Sequence, residues 1–404
     1  MPLEADAEQL ALHLLAQEFV EIYAHHDADG IAAGAIIATA MHRAGRPFRL
    51  RCTPRITPAD LTGEAGVLLC DFGASREDLP PHVMVIDHHP PRFDGEFHVN
   101  PALAEPSGGG EVPASGAAYL VAQHMGENRD LAGIALVGMI GDNQEWSGAN
   151  RGILNDGIAN GYITTGRGIL LPGRDLTEAL TLATRPYLDG ISGDEAAARK
   201  LVEECSPEGK ISLDALLSLV VLRAGTSVVA GALESIYGDT YTLEKEAIAD
   251  LHTLAAVVDA CGRAGMGGFA TSLLLSRQVP EHEAWEALRS YRAKVIAAIR
   301  SAQPLDVDGW YGVGDASVNG PVADALVLSR GGERPVFVFS PGEGVWHISA
   351  RCPAGVRMDL EKVVRDLARS CDGDGGGHRC RAGATISARY LDQFRKGLAE
   401  AMAA

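Results

Sequence analysis

"AHHDADGIAAGAI", residues 24–36, sets two histidines and two aspartates within five positions and then runs into small apolar residues of helical character. The run that leads into it, FVEIYAHH (19–26), is short and apolar with a polar tip, and VLLCDFG (67–73) and VMVIDHH (83–89) repeat that design. Such runs mark buried parallel strands, and helix-like stretches such as GIAAGAIIATAMHRAG (30–45) lie between them. Open parallel sheets bind ligands at the carboxyl ends of their strands, so three strand tips are expected to converge on one site. If the first strand stays extended to its end, His25, Asp27 and Asp29 alternate and point to one side, while His26 points away. Gly30 then permits a tight turn into a helix whose Ala32, Ala33, Gly34 and Ala35 allow close packing.

The remainder of the chain frames this stretch. With 404 residues and 46% hydrophobic composition, it is expected to fold into two or three domains. The acidic start MPLEADAEQLALHLL lacks the pattern of a secretory signal, and apolar runs such as LAGIALVGMI are too short to span a bilayer, which predicts a cytoplasmic protein without a membrane association. Seven scattered cysteines without a C-x-x-C pair argue against a zinc ribbon or disulfide scaffold. A formal charge of −18 disfavours broad duplex binding, but it leaves room for basic residues along one groove.

The organisation reads as an N-terminal parallel-sheet domain over 1–176, a helical middle segment over 177–301, and a smaller α/β domain over 302–404. Ser192 or Asp194 is expected to cap the first middle helix, and Ser115 a helix within VPASGAAYLVA (112–122). ALVLSR (325–330), PVFVFS (335–340) and VWHISAR (345–351) read as strands, MDLEKVVRDLARSC as a helix, and SGGGE (107–111) as a loop. Trp146 and Trp310 read as packing residues, whereas Trp346, near Arg351, could stack on a base.

The tips carry metal-binding chemistry. Asp71, the run Asp87-His88-His89, and Asp142 at the end of ALVGMIGDN join His25, Asp27 and Asp29. A shell of imidazoles and several carboxylates suits Mn²⁺ or Mg²⁺ better than structural zinc. So many carboxylates would repel one another without cations, and they suffice for two ions sharing one aspartate.

HHDADG, CDFG, IDHHP and GDN, in this order, resemble the motifs of the DHH phosphoesterase superfamily, and GGGHRCRAG resembles the glycine-histidine motif of its DHH-associated C-terminal domain. Length and the long helical connection resemble archaeal RecJ-like exonucleases, including the GINS-associated nuclease group. The resemblance implies that His25 and Asp27 hold one Mn²⁺ and that Asp29, His88 and Asp142 hold a second, with Asp71 bridging both. It implies that His89 sits beside the scissile phosphate, that Asp87 orients His88, and that Ser349, Arg351, Gly375, Gly376, Gly377, His378, Arg379 and Arg381 grip substrate, the glycines as an anion-binding nest. RCRAG departs from the family's usual continuation after GGGH, so its arginines mark a distinct preference.

The leading expectation is a Mn²⁺-dependent exonuclease on single-stranded DNA or RNA that releases mononucleotides, with Mg²⁺ as the other cation and a GINS-like replication complex as a partner. A phosphodiesterase or phosphatase for oligoribonucleotides, 3′,5′-bisphosphorylated nucleotides or cyclic dinucleotides is the enzymatic alternative. A replisome scaffold is the third reading. DFG at 71–73 is not a kinase motif, since no catalytic-loop sequence accompanies it.

Overall fold

The computed structural model describes residues 2–62, 66–104, 112–225, 228–276, 281–329, 334–353, 355–356 and 358–403. It divides into two compact units, Met1–Arg167 with Asp239–Leu288, and Gly168–Gly238 with Arg289–Ala404. Three consecutive segments were the expectation, whereas the chain leaves the first unit and returns to it. The return has a packing cause: helices Leu251–Arg263 and Gly267–Leu275 lie against the helix Ala28–Arg43. A Cβ on Gly262 would fall 1.8 Å from the carbonyl oxygen of His26, so only glycine lets this helix reach the end of the first strand.

The first unit is built on five parallel strands, β1 (Val20–His25), β2 (Phe48–Thr53), β3 (Gly66–Cys70), β4 (Val83–Ile86) and β5 (His98–Val99), in the order β2-β1-β3-β4-β5. Every residue of β4, and all of β3 after Gly66, is buried, which explains why these segments read as unbroken apolar runs. Ile22, Leu68, Leu69, Ile31, Ile36 and Met41 are fully buried, each worth roughly 1.5–3 kcal/mol relative to exposure. The helix Ala28–Arg43 also packs against helices Ala114–His124 and Ala132–Gly141. Two further strands, β6 (Ile163–Ile169) and β7 (Tyr237–Leu243), form a two-stranded sheet.

The second unit contains β8 (Gln303–Pro304), β9 (Trp310–Gly312), β10 (Val336–Pro341), β11 (Val345–Arg351), β12 (Asp374–His378) and β13 (Arg381–Ser387), in the order β12-β13-β11-β10-β9-β8. Phe337, Phe339, Trp310 and Phe394 lie in one apolar core with Leu360 and Val364 of the helix Leu360–Arg369. Trp310 is therefore a packing residue, and Trp346 is half-buried against the same core. Asp194 caps the helix Glu195–Glu204 by accepting from Ala197 N–H.

Three local expectations are corrected. Residues 325–329 continue the helix Asn319–Ser329, in which Val322, Ala323, Ala325 and Leu326 are buried at helical spacing; a run of four apolar residues does not by itself separate strand from helix. Ser115 is not a cap, because Pro113 occupies that position. The glycine cluster is not a loop nest: Gly375, Gly376 and Gly377 lie in the extended edge strand β12, paired with Ala384, Gly383 and Ala382 of β13. SGGGE (107–111) lies outside the described residues. Among the described residues no helix is long and apolar enough to cross a membrane.

Candidate metal centre

The first tip forms where β1 meets the helix behind it. His25 closes the strand, and Asp27 caps the helix, one carboxylate oxygen accepting from Gly30 N–H at 3.2 Å. Its other oxygen stands 2.9 Å from His25 Nδ1. Asp29 is not the next residue of an extended run, as alternation had suggested, but belongs to the first turn of the helix. Its carboxylate turns inward and accepts from Ala114 N–H and Ser115 N–H at 2.8 and 2.9 Å. Ser115 contributes through its backbone, while its hydroxyl donates to the Ala135 carbonyl.

Asp71, immediately after β3, is held in the left-handed region with φ of 65°, which aspartate tolerates better than most residues. From there it faces both groups of ligand-type side chains: Oδ2 is 3.2 Å from His25 Nδ1, and Oδ1 is 3.4 Å from His88 Nε2. His88 Nε2 also lies 3.1 Å from Asp142 and 3.8 Å from Asp29. His25, Asp27 and Asp71 thus make one cluster and Asp29, His88 and Asp142 another, each tight enough to surround an ion. His26 belongs to neither cluster; burial, then His25 and Arg263, lower its imidazole pKa to about 4.

The electrostatics match a cation-binding pocket. Burial, then Asp71 and Asp142, push the Asp29 carboxyl well above its usual range, and burial with Asp27 raises Asp71. Burial alone would lower His88, but Asp142, Asp71 and Asp29 hold it well above the ordinary imidazole value. Despite their short separations from neighbours, His25 Nδ1 and Asp71 Oδ1 are buried without an aligned hydrogen bond. Buried acceptors left in this state are costly unless an ion satisfies them, so the donor set fits divalent metal.

Asp87 departs from the expected arrangement. Its Oδ1 accepts from His89 Nδ1 at 2.7 Å and from the backbone N–H groups of His88 and His89, while Oδ2 accepts from Ala74 N–H. It orients the His89 ring rather than that of His88, because the side chains at successive positions after β4 diverge. Beside His88 stands Gln144, its amide nitrogen 3.4 Å from Nδ1; Asn100 donates to the His89 carbonyl at 3.0 Å. Neither was singled out in the sequence, although Gln144 follows Asp142 by two positions. Alongside, a cavity of about 330 Å³ is lined by His25, Asp71, Asp87 and His89 together with Arg55, Phe72, Ser75 and Arg76.

Close packing sets the position of Asp29. A Cβ on Gly138 would fall 2.1 Å from both Asp29 Oδ1 and Ser115 Oγ. Gly138→Ala is expected to lower unfolding free energy by about 1–3 kcal/mol in a denaturant titration and to displace Asp29 from the cluster.

In the second unit, Arg351 and Arg381 are direct cross-strand partners on β11 and β13. Arg351 Nε donates to Asp324 Oδ1 at 2.6 Å and Arg381 to Asp324 Oδ2 at 2.9 Å. The Asp324 side chain is only 15% exposed. That enclosure alone would raise its carboxyl, yet Arg351, Arg381 and Arg185 hold it well below the carboxylate range. Desolvation, then the repulsion of Arg381, Arg351 and Arg292, lowers the Arg185 guanidinium against the pull of Asp324. Sequence reading missed Arg185 and Asp324, which no motif marks. Ser349 lies within β11, His378 ends β12, and Arg379 is exposed in the turn that follows.

Residues 314–404 match the DHHA1 domain. The uncharacterized protein MJ0831 of Methanocaldococcus jannaschii is 25% identical over 95% of this chain and 93% of its own length. RecJ of Thermus thermophilus, solved in complex with Mn²⁺, superposes with a TM-score of 0.61 at 20% identity, over 99% of this chain and 54% of RecJ, so this chain spans about half of that protein. CDC45 of Entamoeba histolytica superposes with a TM-score of 0.62 at 11% identity, covering 99% of each chain. The chain thus matches the DHHA1 domain over residues 314–404 and shares its fold with RecJ and CDC45.

Proposed function

We propose that this protein is a phosphodiesterase of RecJ type that hydrolyses single-stranded nucleic acid from an end, releasing mononucleotides, with two divalent ions, Mn²⁺ preferred. The observation that carries the reading is the convergence of His25, Asp27, Asp29, Asp71, His88 and Asp142 at the ends of the strands, with buried acceptor atoms left unsatisfied. His25 and Asp27 would hold one ion, Asp29, His88 and Asp142 the other, and Asp71 both. Bound there, the ions would lower the pKa of a water and neutralise the charge that develops on phosphate during in-line displacement.

The protein's own side chains do the rest. His89 Nδ1 lies 2.7 Å from Asp87 Oδ1, which fixes the ring, and the imidazole would contact the phosphate or deliver a proton to the leaving oxygen. Although burial alone would lower His89, Asp87 raises it, favouring the proton-bearing form. The cavity beside these groups has the volume for one nucleotide, with Phe72 available to stack and Arg55 and Arg76 to attract charge. Arg185, Arg351, Arg379 and Arg381, with Ser349 and His378, supply a grip on further phosphates. Few basic residues are needed for a single backbone, in keeping with a chain of net charge −18.

The test is hydrolysis of end-labelled single-stranded DNA and RNA in Mn²⁺, beside dinucleotides and bisphosphorylated nucleotides. Laddering on long strands that stops with chelator supports the reading. Cleavage of only the shortest substrates would replace it with the small-substrate phosphodiesterase. The likeness in fold to CDC45 favours a second reading, a partner protein without turnover. Absence of hydrolysis with every substrate and cation would favour that reading.

A further inference from the structure

We infer that Asp324 is a positioning residue for phosphate recognition: its carboxylate clamps Arg351 and Arg381 into one preset fork that receives a backbone phosphate of the substrate. The inference rests on the single-strand reading above.

Its ground is an arrangement that folding alone would not favour. Arg351 and Arg381 stand directly opposite each other on β11 and β13, and like charges in that position destabilise a sheet. Arg185 and Arg292 add to the same field, so several guanidinium groups share one enclosed carboxylate. Packing would be served as well by threonine at either strand position. Asp324 instead takes one oxygen to each strand, fixing the separation of two groups that would otherwise spring apart. Arg351 is tied further, its guanidinium donating to the Ala350 carbonyl at 3.0 Å. Arg381 uses only one of its five N–H groups on Asp324, leaving donors for a ligand. Arg185 makes no hydrogen bond or ion pair among the described residues and reaches solvent. A cationic surplus organised around a minority anion is what a phosphate receptor requires, since guanidinium forks fixed in advance lose less freedom on binding.

Charge and position make opposite predictions, which is what allows the test. Asp324→Asn adds one net positive charge to the cluster, so electrostatics alone predicts tighter binding of nucleic acid. Positioning predicts weaker binding, by about tenfold, because the fork opens. The measurement is fluorescence anisotropy of a labelled single-stranded oligothymidylate on the full-length protein in chelator, followed by steady-state hydrolysis of the same strand in Mn²⁺. The expected result is the loss of affinity and an equal rise in KM, with kcat changed less than about twofold. Binding by Asp324→Asn as tight as wild type, or tighter, overturns the role. Asp324→Glu keeps the charge and moves it by one methylene, and carries the test should the asparagine variant unfold. Affinity reduced about fivefold or more supports positioning, and unchanged affinity overturns it. If the wild-type protein neither binds nor cleaves the strand, the single-strand reading falls; if it does both and only the Asp324 variants behave as wild type, the role of Asp324 alone is lost.

Discussion

Replacing Asp71 with asparagine is expected to reduce strand hydrolysis by roughly 10³-fold or more while the protein stays folded. Asparagine is the cleaner substitution because Asp71 has φ of 65°, a conformation that alanine adopts only at a cost in strain. One carboxylate faces two clusters, His25 with Asp27 and His88 with Asp29 and Asp142, so its loss removes an acceptor from both at once. The variant should also lose cation-dependent stabilisation, which in the wild type amounts to about 2.7 kcal/mol when the ion is present at a hundred times its dissociation constant. In chelator the order reverses. The carboxyls of Asp29 and Asp71 are raised above the ordinary value of 3.8, so the folded state holds their protons more tightly than the unfolded chain does. Their contribution is therefore favourable below the unfolded value and is lost as pH rises through the raised folded values. At neutral pH, metal-free Asp71→Asn should melt no lower than metal-free wild type. Retained turnover in this variant would end the shared-carboxylate mechanism.

How much of this was legible in the sequence depended on whether the signal was local. His25, Asp71 and the run 87–89 stood out because buried parallel strands read as apolar runs, and a charged residue at the end of such a run is conspicuous. Asp29 was read by an argument that does not describe its conformation. Alternation along a strand would set it beside His25, whereas the structure places it in the first turn of a helix, where its carboxylate joins His88 and Asp142. The Asp87 assignment failed for a related reason: adjacency to two histidines cannot say which ring a carboxylate will meet. GGGH was visible as a motif, but not its conformation, because glycine serves equally in a nest and in an edge strand packed beneath a helix. Asp324 and Arg185 carry no local mark at all. Their meaning comes from β11 and β13 being brought side by side, a tertiary fact.

Asp87→Asn is expected to cost about 3–5 kcal/mol of stability and, in protein kept folded at low temperature, to slow hydrolysis by roughly 10²-fold or more. The Asp87 carboxylate is buried and accepts from four N–H groups: Ala74, His88 and His89 of the backbone, and the His89 ring. An asparagine must turn its own N–H groups toward one set of these donors, leaving buried polar groups unsatisfied on that side. Asp87 itself is held well below the usual carboxylate range, burial being outweighed by His89, His88 and the Ala74 amide, so the charge is lost together with the geometry. Two functions then fail together. The turn that follows β4 loosens, which displaces His88 from Asp142 and Asp71, and the His89 ring loses the bond that aims Nε2. His89→Gln separates the two, because it removes the ring but leaves Asp87 its three backbone bonds. It should cost less stability than Asp87→Asn and keep cation binding close to wild type while slowing turnover, as measured by thermal melts with and without Mn²⁺ beside single-turnover hydrolysis. If His89→Gln turns over as fast as wild type, His89 neither binds the phosphate nor moves its proton, and the damage in Asp87→Asn must come through His88 alone.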